Sequence, residues 1–557
     1  MKFDQERKKI LSKEKGTIHK KNFRLRIALG FPNSYEVGMA NLGFLTVHRL
    51  LNQIEGIFCE RFFLFDYSPT KGVRTLESDS PLNSFPLVAF SIAFELDYLN
   101  VLKLLKLANI PLKSEDRDGK LPLLIAGGVA PTLNPETTAP FFDVLFIGEA
   151  EEMIFEFVDE YLKSLDKDKK ISRDRLLFNL SQIKGIYVPK FYEPIYKENG
   201  WLEKINPKED VAPIIEKRKA GPDLVPAYSS IITPLSHFKD FLLVEVGRGC
   251  GRGCRFCAAG FIYRPTRYYR KENILNLVED FSYDCKNVGL VGSMVSDFPH
   301  LDELCFSLGE KGKKIGISSF RVDQINKKLL EILVKSGLES LTIAPEVGSE
   351  RMWRVIRKNI NKEDVLESAK TAAQSGILNL KLYFMIGLPF ENSEDTNAII
   401  SLITEIQNIF LKQGKKKRIV VSLNPFVPKA QTPFQWAPMD KEENLQYKMK
   451  IIADGIKKMK GVLIEKKSIR EAILQGILSM GNRRVGEGIL HRVEENLKFS
   501  KAWEKARVDI DYLNFTRKDY DIFFPWDLID AGVDKNYLWK EFVRAETESM
   551  SKLMDGR

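Results

Sequence analysis

The segment Val244-Glu-Val-Gly-Arg-Gly-Cys-Gly-Arg-Gly-Cys-Arg-Phe-Cys257 brings three thiols into eight residues at the end of an apolar run. The run reads as a buried strand, and the cysteine stretch as a glycine-rich loop that the rest of the chain must hold in place. Thiolates spaced C-x3-C-x2-C suit an iron–sulfur cluster better than zinc, because a closed structural zinc site takes a fourth ligand and none is nearby. Three thiolates on a four-iron cubane leave one iron open. Gly247, Gly249, Gly251 and Gly253 let the backbone wrap closely, with N–H groups able to donate to cluster sulfurs and tune the potential. The alternative, three cysteines that pack or pair, sits badly with such clustering between glycines.

Cys59, Cys285 and Cys305 are scattered. Cys285 follows Ile274, Val278 and Phe281 on one helical face, and Cys305 sits with Leu301, Leu304 and Leu308, so both read as core residues rather than halves of disulfides. A reducing, cytoplasmic setting is expected. No apolar run approaches membrane-span length, and Met1 to Lys15 is charged where a signal peptide needs an apolar stretch. At 557 residues the chain exceeds a single core, and its net charge of +10 favours an anionic partner or substrate without naming one. Nucleic acid is weakly supported: the basic run Lys412 to Arg418 has no interleaved aromatics and reads as a solvated loop.

Two stretches alternate apolar runs with helical patterning, which makes the chain an α/β protein. Residues 1–22 form a basic lead. Over 23–165, strands are expected at Leu25 to Gly30, Ile57 to Phe65, Leu87 to Ile92, Leu123 to Ala126 and Val144 to Ile147, giving a doubly wound parallel sheet. Ligands of such sheets bind beyond the carboxyl ends of the strands, where three loops stand out: Asn33 to Gly43, Gly127-Gly128-Val-Ala-Pro-Thr132 and Gly148-Glu-Ala-Glu-Glu152. Residues 166–240, broken by prolines, read as a connecting segment. Over 241–430, six strand–helix units (Leu242 to Val246, Val288 to Gly292, Lys314 to Ser318, Leu341 to Ala344, Leu380 to Ile386, Ile419 to Leu423) argue for a partial (β/α)6 barrel with its functional residues at the strand ends. Residues 431–557 read as mainly helical. Arg483 and Arg484 there suit either an anionic substrate or salt bridges.

The cysteine triad, with the aromatic Phe256 before its last member, resembles the signature of the radical S-adenosylmethionine (radical SAM) enzymes. Ala344-Pro-Glu-Val-Gly-Ser349 and Phe384-Met-Ile-Gly-Leu-Pro389 are similar to segments of the subgroup with a cobalamin-binding-type N-terminal domain. Phe426-Val-Pro-Lys429, Gly481-Asn-Arg-Arg484 and Pro525-Trp-Asp527 resemble a widespread, functionally unassigned bacterial subfamily. The resemblance implies a 4Fe-4S cluster on Cys250, Cys254 and Cys257 whose open iron takes the methionyl group of SAM. It also implies an external reductant of ferredoxin or flavodoxin type, and a 5′-deoxyadenosyl radical that attacks an unactivated C–H bond.

Polar residues at the strand ends suit that cofactor: Glu346 for the ribose hydroxyls or α-ammonium, Arg321 for the carboxylate, Ser293 and Ser318 for the polar head. Ser349 joins them, although it also reads as a helix N-cap. The resemblance extends to a corrin at Gly127, Gly128 and the two other loops. The Asp-x-His-x-x-Gly motif that places a histidine on cobalt is absent, and none of His19, His48, His237, His300 and His491 stands in such a context. Either a corrin binds without a protein histidine, with methyl transfer as the outcome, or the domain keeps the fold without the cofactor. The other readings are a cobalamin-free radical SAM enzyme (sulfur insertion or rearrangement) and a non-catalytic iron–sulfur carrier or binding module.

Overall fold

The computed structural model describes every residue except 1, 118–121, 166–171, 199, 209, 222–224, 282–284, 318–319, 414–416 and 552–557. Ser318, Lys415 and Lys416 thus lie outside the described residues. The chain folds into two compact units. The first comprises Met1–Asp240, Ile477–Leu513 and Asp521–Gly532; the second comprises Phe241–Gly476, Asn514–Tyr520 and Val533–Arg557.

The first unit is built on strands β1 (Leu25–Phe31), β2 (Ile57–Phe63), β3 (Leu87–Ser91), β4 (Leu123–Gly127), β5 (Val144–Phe146) and β6 (Ile186–Tyr187), in the order β2-β1-β3-β4-β5-β6. The first five run parallel and β6 pairs antiparallel with β5. All seven residues of β2 are buried, the charged Glu60 and Arg61 included, so the sheet is covered on both faces. The strand order reverses beside β1 and β3, which makes the loops after them the two sides of the switch-point crevice. Asn33 of one loop donates to Asp97 of the other at 2.8 Å. His48 is a core residue, as its apolar neighbours suggest: burial pushes its imidazole down to about 3, so it stays neutral, and its Nε2 meets Asn52 at 3.1 Å.

The segment expected as a connector carries structure of its own. The helix Arg173–Ser181 is followed by the hairpin of β7 (Tyr192–Tyr196) and β8 (Leu202–Pro207), and β9 (Ile215–Glu216) pairs in parallel with β18 (Ile529–Asp530).

The second unit holds two four-stranded sheets. One contains β10 (Phe241–Arg248), β11 (Arg267–Tyr268), β12 (Asn287–Gly292) and β13 (Lys314–Ile317), ordered β11-β10-β12-β13. The other contains β14 (Ser340–Glu346), β15 (Asn379–Ile386), β16 (Arg418–Pro425) and β17 (Val462–Lys466) in chain order. A parallel bridge between Phe320 and Ile343 continues one sheet into the next. Apart from the short antiparallel β11, the pairings are parallel, and a partial barrel results. The six expected strands are all present. A seventh, β17, extends the barrel; it is an edge strand with Leu463 exposed, so it lacks the continuous apolar signal of its neighbours. Cys59, Cys285 and Cys305 are buried, and none is in a disulfide with another described residue.

Candidate active site

Strand β10 delivers the cysteine loop. Gly249 has φ +85°, and a Cβ there would stand 2.2 Å from the Tyr263 carbonyl oxygen, so the first turn of the loop admits only glycine. Cys254 is buried, while Cys250 and Cys257 are half-buried. Cys250 Sγ meets Met294 Sδ, from the loop after β12, at 2.7 Å. Burial pushes the Cys254 thiol up, and the neighbouring Lys358 and Arg321 cations draw it back down. Burial, with Cys254 beside it, carries Cys257 up to about 11.

The ends of β12, the 320s loop and β14 surround these thiols with charge. Arg252, between Cys250 and Cys254, pairs with Asp297 at 2.7 Å and reaches Asp323 at 3.6 Å. Asp323 takes Arg321 at 2.8 Å; burial opposes its charge, but the two guanidinium groups hold the carboxyl below its usual range. Arg321 also donates to the Lys358 carbonyl at 3.1 Å. Lys358 Nζ in turn lies 3.0 Å from Glu346. Burial disfavours the ammonium, yet Glu346 and Cys254 hold its pKa above the ordinary lysine range. Glu346 has φ +71°, and the β14–β15 register slips between Ile343 and Glu346. A register slip re-aims the strand end, and a left-handed non-glycine residue there is the kind of local strain that collects at functional sites.

The structure thus gathers Cys254, Arg321 and Glu346 around Lys358, which no sequence motif singles out. Ser293 is exposed beside Met294, and Phe256 is half-buried. Ser349 is engaged as the N-cap of helix Glu350–Val355, accepting from the Met352 N–H at 3.1 Å and donating to Asp395 at 2.7 Å. Among the described residues no three His, Cys, Asp or Glu side chains converge to hold a single metal ion. A cubane does not require that, since each thiolate binds a different iron. A glycine-turned triad, buried at Cys254 and half-buried at Cys250 and Cys257, next to two cations fits such a cluster.

The loops expected to meet a corrin pack against their own chain. Gly128 has φ +116° and lies against Ile92, whose carbonyl oxygen would be 2.4 Å from an added Cβ; Gly148 has φ +112° and lies against Arg218, 2.2 Å by the same measure. The polar groups of the same loops are also taken. Gly148 N–H donates to Thr132, Glu149 accepts from the Ala220 N–H, and Glu152 pairs with Arg218 and accepts from the Gly221 N–H. Asn134 and Thr137, just beyond, donate to the carbonyls of Ser479, Gly481 and Leu478. These glycines face the chain's own backbone, so the close packing of the second and third loops accounts for them without a ligand.

Two family profiles match the chain: "Radical SAM proteins, N-terminal" over residues 43–189 and "Radical SAM superfamily" over residues 244–403. An uncharacterized protein of Methanocaldococcus jannaschii, MJ0966, is 29% identical over 464 residues, spanning 83% of this chain and 90% of that protein. The ribosomal protein uS12 methylthiotransferase RimO of a Thermotoga species is 22% identical, spanning 47% of this chain and 63% of that protein. Among solved structures, the radical SAM methyltransferase TsrM of Kitasatospora setae shares 12% identity with a TM-score of 0.47, over 71% of this chain and 72% of the other. Members of the superfamily use a 4Fe-4S cluster and SAM and draw an electron from an external reductant. The two matched stretches together take in more than half of the chain, which belongs to the radical SAM proteins.

Proposed function

We propose that the protein is an enzyme that cleaves SAM reductively and uses the resulting radical to functionalise an unactivated C–H bond. Cys250, Cys254 and Cys257 are the cluster ligands in this reading, and Glu346, Lys358 and Arg321 take the charged groups of SAM. When bound, a cluster with an open iron supplies the electron that breaks the sulfonium. The chain's own part is positional: Lys358 holds Glu346 at the end of β14, Asp323 holds Arg321, and both stand within electrostatic reach of Cys254. That shared neighbourhood is the single observation that carries the proposal, because an electron carrier has no use for charged strand ends gathered beside the cluster loop.

Two outcomes are open to the radical. Methyl transfer through cobalamin needs a corrin beside the barrel. The cobalamin-free outcome is supported by the packing of Gly128 and Gly148 against their own chain. Within it, rearrangement is favoured over sulfur insertion, which commonly draws on a second cluster, since Cys59, Cys285 and Cys305 are each buried separately. Arg483 and Arg484 do not identify the substrate, because they are already engaged with Glu136 and Gly200.

Anaerobic reconstitution tests the reading. The native chain should bind one cluster and release 5′-deoxyadenosine from SAM under a strong reductant, and Cys→Ala at any of the three positions should abolish both. Full iron content in the triple variant would overturn the assignment. Hydroxocobalamin added during reconstitution should separate from the protein on gel filtration, and stoichiometric retention would turn the proposal to methyl transfer.

A further inference from the structure

Arg255 lies between the second and third cysteines, and its side chain is 1% exposed. Nothing in the C-x3-C-x2-C spacing calls for a buried guanidinium there, and an arginine is hidden only where its donors and charge are met. The helix Lys535–Met550 meets them. Arg255 Nε donates to Glu541 at 3.1 Å, and Nη1 donates to Glu548 at 2.6 Å. Nη1 also donates to the carbonyls of Val355, at 2.8 Å, and Arg354, at 3.1 Å, where the helix following β14 ends. The backbone of the same residue is held on both sides: its N–H donates to the Ile356 carbonyl at 3.0 Å, and its carbonyl accepts from the Phe434 N–H at 3.1 Å.

Two further arginines near the loop meet the same helix. Arg357 donates to Glu541 and to the Tyr537 hydroxyl, each at 3.1 Å, and Arg264 lies over the Tyr537 ring. Tyr537, Glu541 and Glu548 are four and seven residues apart, which places them on one face of a helix. That face carries the partners of three arginines, while its neighbour Glu546 turns outward to Arg517.

We propose that Glu541 and Glu548 are positioning residues for the cluster: through Arg255 they set the path of the Cys254–Cys257 segment, and with it the direction in which two of the three thiolates point. This rests on the assignment of the triad as cluster ligands. It goes further in giving the helix Lys535–Met550 a part in building the site, although Glu541 stands 286 residues downstream of Arg255. A loop fixed at only one end would let Cys254 and Cys257 drift before iron is bound; a loop pinned by two carboxylates presents them ready spaced.

The test compares Glu548→Gln, Glu541→Gln and the double variant with Glu546→Gln, whose carboxylate pairs with Arg517. In the cluster-free protein, hydrogen exchange should quicken at residues 250–257 in the first three and remain native in the fourth. After reconstitution the first two should lose iron to a chelator about tenfold faster than the native protein, the order of effect of one lost charge-assisted bond. Their reduced cluster should also give an altered electron paramagnetic resonance signal. Glu541→Asp, which keeps the charge, should recover part of the difference. Glu548 is partly exposed, so Glu548→Gln should fold even where the double variant does not. Native exchange at 250–257 together with a native cluster signal in Glu548→Gln and Glu541→Gln would overturn the proposal. Loss of iron in the native chain itself would count against the ligand assignment instead.

Discussion

Lys358 and Glu346 form a pair whose side chains are 10% and 14% exposed, and neither can lose the other without leaving a charge in a poorly solvated place. Lys358→Met is therefore expected to cost about 3–5 kcal/mol of stability, and adding Glu346→Gln should return much of it, a coupling that denaturant melts of the four-member cycle would read. Glu346→Gln alone should leave the iron content intact and weaken SAM binding roughly ten- to hundredfold, as measured by calorimetry on the reconstituted enzyme. Unchanged affinity would reduce Glu346 to a structural strand end. Asp97 makes a separate, pH-dependent prediction. Burial, aided by Glu95 and opposed by the Asn33 amide, raises its carboxyl to about 6. A carboxyl with a raised folded pKa binds its proton more tightly in the native state, so stability falls as pH rises from the unfolded value of about 3.9 through 6. Asp97→Asn, which can still accept from Asn33, should raise the melting midpoint at pH 7 by the equivalent of about 1–3 kcal/mol, with the gain vanishing below pH 4. The residues that sequence revealed are those whose partners are local: the cysteine spacing, or Ser349 three residues before the N–H it caps. Lys358 and Arg255 were invisible because what makes them special is a neighbour brought near by folding, Glu346 across a helix and Glu541 from far downstream.

Elements were legible wherever burial on both faces left a mainly apolar run, which covers the five parallel strands of the first sheet and the six barrel strands. The seventh strand, half exposed, and the two-residue strands β9 and β18 carried no such signal. Glycine-rich loops gave the opposite lesson: Gly127-Gly128 and Gly148 look the same in sequence whether the space beside them belongs to a ligand or to another stretch of chain. Gly148 shows which. Its φ of +112° is strained for any L side chain, and an added Cβ would strike the Arg218 carbonyl. Gly148→Ala should cost about 2 kcal/mol or more in a thermal or denaturant melt. Gly309, inside helix Leu301–Glu310 with nothing within 4 Å of an added Cβ, is the contrast, and Gly309→Ala should stabilise by about 0.5–1 kcal/mol. Equal effects at the two positions would mean that the β5 loop can relax away from Arg218 and open the face it now covers.

At the scale of the molecule, the division of the chain is what sequence reading could least anticipate, because it depends on late segments returning to early ones. Residues 477–513 and 521–532 belong with the N-terminal sheet, while 514–520 and 533–557 belong with the barrel. The basic turn Asn482-Arg-Arg484 shows how the first return is secured. Arg483 donates to Glu136 at 2.9 Å, to the Tyr187 hydroxyl at 2.9 Å and to the Pro189 carbonyl at 3.2 Å, and Tyr187 closes the triangle onto Glu136. Glu136 is fully buried, and the carboxylate beside it raises the Arg483 guanidinium despite the burial that opposes it. Arg483 is thus an internal counter-ion rather than an anion receptor, and its removal isolates a charge inside the first unit. Arg483→Met should destabilise that unit by about 3–5 kcal/mol, while Arg483→Met combined with Glu136→Gln should recover most of the loss, because both charged partners are then gone. Cluster content separates this role from one in catalysis: the triad lies in the other unit, so in folded Arg483→Met iron per chain and SAM cleavage should match the native protein while hydrogen exchange in residues 123–146 and 477–490 accelerates. Loss of SAM cleavage with native exchange at those residues would reverse the assignment and return Arg483 to the substrate.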